Sequence, residues 1–301
     1  MAEIAEANAG WDYLWVTDSV IALGFYESIV LLSACAARTS RVRLGIGCMS
    51  SLGLRHPLLA AQQLANLDAL SDGRLTLVAC PGWGSGDHVK RELDAFGLSY
   101  SEKACRMEES IGFLRRVSSE RLPSFEDGPV RIRELDLQPA FVQRPLPIWM
   151  AANPPLNAPP ETVQRLLGRV ARLGDGWMTY AVTPEVLSER VRLLRELRAA
   201  RGDQPGADFP VSVFLSANVA REESHALADA ARAWRHQSTR DIGPAQLQAV
   251  SAVGTPDRCS AFIRELVQAG ATNVVLDILA EDRSRQLQTL TAELLPGLAQ
   301  A

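Results

Sequence analysis

The chain has 301 residues, of which 47% are hydrophobic and 22% are charged, and its formal net charge is −4. This composition is that of an ordinary globular protein with a large core, and it excludes intrinsic disorder. The charge gives no electrostatic footprint for nucleic acid or an acidic membrane, so neither is expected as a partner.

The cysteines and the amino terminus indicate a reduced, cytoplasmic protein. The longest apolar run, Ser28–Ala37, is about half of the roughly 20 residues that span a bilayer. The first residues lack the basic and apolar pattern of a secretory signal. The five cysteines are odd in number and far apart, and no CxxC pair or metal-ligand spacing of histidines occurs. We therefore expect no disulfide framework and no bound metal.

Short, nearly continuous apolar runs alternate with longer amphipathic stretches along the chain, as in parallel sheets buried on both faces. The predicted strands are Tyr13–Val16, Val42–Gly47, Leu75–Cys80, Ile148–Ala152, Gly176–Tyr180, Val211–Ser216 and Asn273–Leu279. The predicted helices are Ala2–Asn8, Glu27–Ala37, Leu58–Leu70, Lys103–Val117, Glu161–Leu173, Pro184–Ala200, Glu222–Trp234, Pro256–Ala269 and Arg283–Leu295. Thr183 and Thr255 are predicted N-caps, and Gly270 is predicted to end a helix. The pattern predicts one α/β domain over residues 1–301, either doubly wound or a closed (β/α)₈ barrel.

The order of elements leaves the predicted barrel one strand short. The chain opens on the helix Ala2–Asn8, which in a (β/α)₈ barrel should follow a strand. Two explanations stay open. Either the native reading frame begins further upstream, or the strands Tyr13–Val16 and Asn273–Leu279 close the gap by pairing directly.

Several residues lie where a barrel places its active site, at the carboxyl ends of strands. The glycine-rich segment Cys80–Gly86 follows a strand, and such loops bring backbone N–H groups close to a phosphate or a flat ring, although a plain tight turn is the alternative. Asp18 ends the first predicted strand and is either catalytic or a cap. His88 is the histidine we consider for proton transfer. By contrast, Leu67–Arg74 is predicted to be architectural, with Gly73 ending a helix and Asp68 or Arg74 tying the turn at the amino-terminal face.

Together these segments resemble the bacterial luciferase-like flavin monooxygenase family over essentially the whole chain. The matching segments are Arg38–Gly45, His56-Pro57, Leu67–Arg74, the glycine loop, Glu92, Phe96-Gly97, Arg106, Glu109, Gln143–Trp149, Gly174–Trp177, Gly254–Pro256 and Leu295-Pro296. The resemblance implies a (β/α)₈ barrel, usually a homodimer, that binds reduced FMN or a 5-deazaflavin coenzyme at its carboxyl-terminal mouth.

The resemblance also assigns cofactor contacts. Gly47-Cys48 matches a strand end that is often a non-prolyl cis peptide or a bulge against the isoalloxazine ring. Cys80 matches a reactive cysteine beside the flavin, although a buried cysteine that packs as a small hydrophobic residue is the favoured alternative. The ring is expected between Gly47–Cys48 and Cys80–Trp83, a range that includes Gly82. Asn153, Pro154 and Asn157 match a loop that helps to hold the cofactor phosphate.

The sequence departs from the family pattern at three places. Asp18-Ser19 stands where many members have a catalytic histidine pair or Asp-His, Pro81 replaces a phosphate-binding Arg, and Asn153-Pro154 replaces an acid–hydroxyl pair. These departures affect the chemistry rather than the fold.

Three functions follow from the resemblance. The first is a two-component monooxygenase, in which a separate reductase supplies reduced FMN that reacts with oxygen and oxidises a small organic substrate. The absence of a Rossmann fingerprint fits an enzyme without its own nicotinamide site. The second is deazaflavin-dependent hydride transfer without oxygen, and the third is a non-catalytic flavin-binding or scaffold protein.

Overall fold

Eight parallel strands alternate with helices in the computed structural model, which describes residues 1–82, 86–203, 209–237 and 243–298. The strands are β1 Tyr13–Val16, β2 Arg43–Met49, β3 Leu75–Ala79, β4 Ile148–Ala151, β5 Trp177–Tyr180, β6 Val211–Val219, β7 Ala252–Gly254 and β8 Asn273–Ile278. The helices are α1 Ala2–Ala7, α2 Ser28–Ala36, α3 Pro57–Leu70, α4 Asp87–Phe96, α5 Tyr100–Ser119, α6 Pro160–Leu173, α7 Pro184–Ala199, α8 Glu223–Gln237, α9 Pro244–Ala249, α10 Pro256–Gln268, α11 Arg283–Thr289 and α12 Leu295–Leu298. A 3₁₀ turn, Leu52–Leu54, precedes α3, and a π-helical turn, Leu290–Leu294, joins α11 to α12. The predicted α/β class and all seven predicted strands are confirmed, whereas β7, α4 and α9 were not predicted.

The strands form one parallel sheet in the order β1-β2-β3-β4-β5-β6, and β6 then pairs with both β7 and β8. β8 pairs with the first part of β6, from Ser212 to Ala217, and the short β7 pairs with its last three residues. Within the described chain, β1 pairs only with β2 and β8 only with β6. The expected alternative that β1 and β8 pair directly is therefore wrong.

A side-chain hydrogen bond links the chain just before β1 to the carboxyl-terminal helical segment. Trp11, two residues before β1, donates from its indole Nε1 to Thr291 Oγ1 in the π-helical turn, over 2.9 Å. This contact lies at the amino-terminal end of β1.

Alternate residues of the strands divide between two apolar layers, as the pleat requires. Leu14, Leu44 and Leu77 face outward into the main core with the helices. The barrel interior is filled by a second cluster, which comprises Val78, Trp149, Met178 and Val275 with Tyr13, Trp15, Cys48, Ala151 and Phe214. Gly45 and Gly47 make room for it, because a Cβ at Gly45 would lie 2.0 Å from the Trp15 ring.

The predicted helix ends are confirmed. Thr183 and Thr255 each accept a hydrogen bond from the backbone three residues later, at Val186 and Arg258. Gly270 has a positive φ of 111°, a conformation that glycine adopts without steric cost.

The turn after α3 has the architectural role that was predicted for it. Asp68 is fully buried, and its carboxylate accepts hydrogen bonds from the backbone N–H groups of Val142 and Gln143 at 2.8 and 2.9 Å. Arg74 donates to the backbone oxygens of Ser71, Thr39 and Val42 at 2.7–2.8 Å. These contacts join loops at the amino-terminal face, away from the expected site.

Of the helices that the structure describes, none is both long and apolar enough to cross a membrane.

Candidate active site

The carboxyl ends of the strands bring most of the predicted site residues to one end of the barrel. At the end of β2 the register against β3 shifts between Gly47 and Met49, and the Gly47–Cys48 peptide bond is cis. The resemblance had indicated a cis peptide or a bulge at this strand end, and both are present. Gly47 is buried under Trp15 and Met178.

Cys48 and Cys80 are joined by a disulfide bond between the ends of the neighbouring strands β2 and β3. The expectation that the protein has no disulfide is therefore wrong. The two cysteines are 32 residues apart in sequence, and only the pairing of their strands brings their Cα atoms to 5.9 Å. Cys80 is 5% exposed, whereas Cys48 is partly exposed. Cys35, Cys105 and Cys259 are free.

The chain after β3 turns across the mouth of the barrel at Gly82. Its φ is +76°, and a Cβ there would lie 3.2 Å from Ser50 Cβ and 3.3 Å from Lys103 Nζ, so the backbone approaches both closely. Tyr100 donates from its hydroxyl to the Gly82 carbonyl over 3.3 Å. Trp83, the other predicted contact in this loop, lies outside the described residues.

Asp18 is 7% exposed, and both of its carboxylate oxygens accept hydrogen bonds. Oδ1 accepts from the Ser28 hydroxyl and Oδ2 from the Ser51 backbone N–H, each over 2.7 Å. The side chain thereby ties the end of β1 to the start of α2 and to the chain after β2. This arrangement matches the capping alternative, and a catalytic role for Asp18 stays a prediction.

A buried ion pair supports the loop that follows Asp18. Glu92 Oε2 accepts hydrogen bonds from the consecutive backbone N–H groups of Val20, Ile21 and Ala22 at 2.9–3.2 Å. Lys103 Nζ lies 3.6 Å from Glu92 Oε1. Glu92 was matched only as part of the family pattern, and its role was not foreseen because the backbone N–H groups that it binds are 70 to 72 residues away.

His88 lies in the first turn of α4, directly after the glycine loop, and it is partly buried with its ring against Gly86. Asn153, after β4, is exposed but uses its side-chain oxygen to accept from Tyr180 N at 2.7 Å and Thr179 Oγ1 at 3.1 Å. Asn157 is exposed in the same loop. The amide oxygen of Asn153 is thus already engaged, whereas Asn157 lies at the surface.

The structure adds a polar group that sequence analysis missed, formed by Tyr180, Ser216 and Asp277. Asp277 pairs with Ser216 in the β6–β8 register, and strand alternation places both on the face of Phe214 and Val275, inside the barrel. Tyr180 ends β5, its ring lies 5.9 Å from that of Phe214 on the same face, and Ser216 and Asp277 both influence its pKa. All three lie at or near the carboxyl ends of their strands. The signal in the sequence was one acid within the apolar run Asn273–Leu279.

Burial changes the protonation of this polar group. Burial raises the pKa of Asp277, with the positive charge of Arg283 opposing the shift. Burial also raises the pKa of Tyr180; the Ser216 hydroxyl opposes this shift, and the nearby charge of Asp277 adds to it. A carboxyl group with a raised pKa can release and take up a proton nearer to neutral pH than an exposed one.

These residues fit a flat heterocyclic cofactor. Trp15, Trp149 and Met178 provide an apolar floor, and Tyr180, Ser216 and Asp277 provide hydrogen-bonding groups on one side of it. An isoalloxazine or deazaflavin ring has apolar faces and a polar edge, so the set of groups matches its chemistry. Among the described residues, no three His, Cys, Asp or Glu side chains form a metal-binding group.

Comparison with known proteins gives the family. The model of the luciferase-like monooxygenase family matches residues 1–273. The chain therefore belongs to this family of oxidoreductases.

Three relatives show the range of activities within the family. A 5,10-methylenetetrahydromethanopterin reductase of Archaeoglobus fulgidus is 23% identical over 97% of this chain and 92% of its own length. An F420-dependent glucose-6-phosphate dehydrogenase of Intrasporangium calvum is 27% identical over 89% of this chain and 83% of its own. An FMNH2-dependent dimethylsulfone monooxygenase of Pseudomonas putida is 26% identical over 75% of this chain and 60% of its own.

The fold is also that of solved structures. The monooxygenase RslO1 from Streptomyces bottropensis superposes with a TM-score of 0.77 and 24% identity, covering 98% of this chain and 92% of that one. This likeness establishes the barrel architecture and not the reaction.

Proposed function

We propose that the chain transfers a hydride between a deazaflavin coenzyme and a small organic substrate at the carboxyl-terminal mouth of the barrel. The observation that carries this proposal is the partly buried Asp277 beside Tyr180 and Ser216 on the interior face. Hydride transfer to or from a C–O or C–N centre requires a proton to move as well, and a carboxyl group with a raised pKa suits that role. The F420-dependent relative supports the choice of cofactor.

In this mechanism the cofactor, when bound, supplies the hydride chemistry, and the chain positions the substrate and exchanges a proton with it. The apolar floor of Trp15, Trp149 and Met178 would exclude water from one face of a bound ring. Gly47, Cys48, Cys80 and Gly82 lie at the neighbouring strand ends and would contact it. Asp277 holds or receives the substrate proton, and Tyr180 orients the substrate through its hydroxyl group. Asn157 faces solvent, where it can contact the cofactor phosphate. Asp18 holds the loop through Ser28 and Ser51, and His88 is a second candidate for proton transfer.

A second candidate function is the two-component monooxygenase that uses reduced FMN from a separate reductase. The aromatic floor favours it, because oxygen chemistry on a reduced flavin requires a site from which water is excluded. The FMNH2-dependent relative also supports it.

One titration distinguishes the candidates. The purified chain is mixed anaerobically with reduced FMN or with reduced deazaflavin, binding is followed by tryptophan fluorescence, and oxygen uptake is then measured. Preferential binding of the deazaflavin without oxygen uptake supports hydride transfer. Binding of reduced FMN followed by oxygen uptake supports the monooxygenase, and binding of neither cofactor contradicts both proposals.

Asp277→Asn tests the proposed proton donor, with Tyr180→Phe as its companion. General acid–base catalysis contributes about 10²–10⁴-fold, so kcat should fall within that range for Asp277→Asn while cofactor affinity changes only a few-fold. The matched control is Glu281→Gln, which changes an exposed acid four residues away. An Asp277→Asn enzyme with the same kcat and pH profile as the control would exclude this role.

We also propose a homodimer, whose contact surface is the connection between β1 and α2. This connection exposes five large apolar side chains. They are Val20 (42%), Ile21 (57%), Leu23 (42%), Phe25 (44%) and Tyr26 (82%). A contiguous apolar surface of this kind is typical of a protein–protein contact. A cytoplasmic location stays a prediction.

A further inference from the structure

The disulfide between Cys48 and Cys80 lies in the candidate active site itself. It joins the carboxyl ends of β2 and β3, next to Gly47 on one side and the turn at Gly82 on the other. Cys48 belongs to the interior cluster that contains Trp15 and Trp149. The proposed function places the cofactor ring at the same strand ends.

The fold does not depend on the disulfide to bring the strands together. β2 and β3 are paired by backbone hydrogen bonds from Leu44↔Leu75 to Met49↔Ala79. Breaking the S–S bond therefore leaves both sulfur atoms close to each other and free to re-form it. A disulfide that clips two separate loops would lack this property.

The two sulfur atoms differ in access. Cys80 is 5% exposed, whereas Cys48 is partly exposed at the mouth. Thiol–disulfide exchange requires that an external thiolate reach one sulfur atom of the bond. Cys48 is the sulfur that a small molecule can reach, and Cys80 is then the leaving or resolving sulfur.

The remaining cysteines lie on helices outside the barrel, at Cys35 in α2, Cys105 in α5 and Cys259 in α10. Burial raises the pKa of Cys259 to about 11, and burial also raises the pKa of Cys35. Both thiols therefore stay protonated at neutral pH and react slowly. The Cys48–Cys80 pair is thus distinct from them in position and in oxidation state.

We propose that Cys48 and Cys80 form a redox-active disulfide that accepts two electrons from the reduced cofactor and exchanges them with small-molecule thiols and disulfides. The proposal rests on the proposed function, since it requires a reduced flavin or deazaflavin at the mouth. The predicted cytoplasmic location favours this role, because disulfides in that compartment are usually catalytic or redox-sensing.

The disulfide takes up two electrons and two protons, so that one S–S bond breaks and two S–H bonds form. Both electrons and one proton arrive together as a hydride from the reduced cofactor, which is thereby oxidised. The second proton comes from solvent. A small-molecule disulfide reverses the change by exchange at Cys48, followed by attack of the second thiol, and leaves as two thiols.

Counting thiols tests the proposal without measuring turnover. The native protein is first alkylated under anaerobic conditions and then receives one equivalent of reduced deazaflavin or reduced FMN. It is next treated with a second, isotopically distinct alkylating reagent, and its peptides are identified by mass spectrometry. We expect the second label on Cys48 and Cys80 alone, two labels per chain, with one equivalent of cofactor oxidised. Cys48→Ser, which cannot form the bond, should oxidise no cofactor under the same conditions.

The outcomes separate this proposal from the proposed function. Binding of the cofactor, seen as a change in tryptophan fluorescence, without the second label would overturn the redox role and leave the proposed function intact. Binding of neither cofactor would contradict the proposed function. In that case the chain is equilibrated in a glutathione redox buffer. Reduction of the Cys48–Cys80 bond while the chain stays folded would support thiol–disulfide exchange at Cys48. Reduction only on unfolding would show that the disulfide is purely structural.

Discussion

Lys103 Nζ lies 3.6 Å from Glu92 Oε1, and both side chains are less than 5% exposed. Burial alone would raise the pKa of Glu92, but the hydrogen bonds from Ile21 and Ala22 and the charge of Lys103 outweigh it, and the pKa is lowered. Burial lowers the pKa of Lys103, and the charges of Glu92 and Asp18 oppose that shift. Through this pair the loop after β1 is fixed to α4 and α5.

Glu92→Gln should destabilise the protein by about 3–5 kcal/mol, because it leaves the charge of Lys103 buried without its partner. Urea unfolding followed by circular dichroism measures this cost. The matched control is Glu120→Gln, which breaks the exposed pair with Arg116 and should have a much smaller effect on stability. In the double variant Glu92→Gln/Lys103→Met, the loss should be smaller than the sum of the two single losses. Equal effects of Glu92→Gln and the control would contradict the assignment.

Gly45→Ala should destabilise the chain by about 1–3 kcal/mol, because the new Cβ would lie 2.0 Å from the Trp15 ring and force it to move. Near-ultraviolet circular dichroism should register the displaced indole. Gly112→Ala is the control, since this glycine lies in α5 with no atom within 4 Å of the new Cβ. That substitution should stabilise the helix by about 0.5–1 kcal/mol. A Gly45→Ala protein as stable as the wild type would mean that Trp15 does not pack here.

Glu6 gives a prediction for acid conditions. Hydrogen bonds from the backbone N–H groups of Ser40 and Val42, with smaller contributions from the Ser40 hydroxyl and Arg41 N–H, lower the pKa of Glu6 from 4.5 to about 2. The folded state therefore favours the ionised form. The stability that this provides is fully present above pH 4.5 and is lost as the pH falls toward 2.

Unfolding free energies of Glu6→Gln and the wild type, measured as a function of pH, test this direction of the pH dependence. The difference in unfolding free energy should be constant above about pH 5 and should shrink as the pH falls through the interval from 4.5 to 2. Glu3→Gln, which removes only an exposed ion pair with Arg38, serves as the control. A difference that grows on acidification would reverse the assignment.

The apolar connection between β1 and α2 predicts the behaviour of the chain in solution. Ile21→Asp and Tyr26→Glu should each shift a dimer toward monomer, because a charge at a dry contact must be desolvated without a partner. Light scattering after size-exclusion chromatography measures the mass. Val267→Glu changes an apolar residue of α10 that is 53% exposed and should leave the mass unchanged. A wild-type chain that is monomeric at all concentrations would refute the dimer.

The sequence predicted the main strands because each is a run of apolar residues long enough to be distinguished from a turn. It missed β7, since the three residues Ala252–Gly254 are too few to show a period. It missed α4 because DHVKRELDAF is largely polar. The Cys48–Cys80 bond depends on the register of two strands 32 residues apart, which no local pattern contains. Asp277 was overlooked because its partial burial beside Ser216 depends on the pairing of β8 with β6, which no local pattern contains.

In the described chain, β1 and β8 are not paired with each other, so the wall of the barrel is open between them. A closed ring of strands has a fixed circumference. Among the described residues, β1 and β8 share no backbone ladder, and the side-chain bond from Trp11 to Thr291 joins the chain before β1 to the segment that follows α11. β1 is nevertheless held at its carboxyl end, where Asp18 binds Ser28 and Ser51, and along its length by β2. Tyr13 and Trp15 therefore lie on an edge strand whose position depends on these bonds rather than on a closed ring of strands.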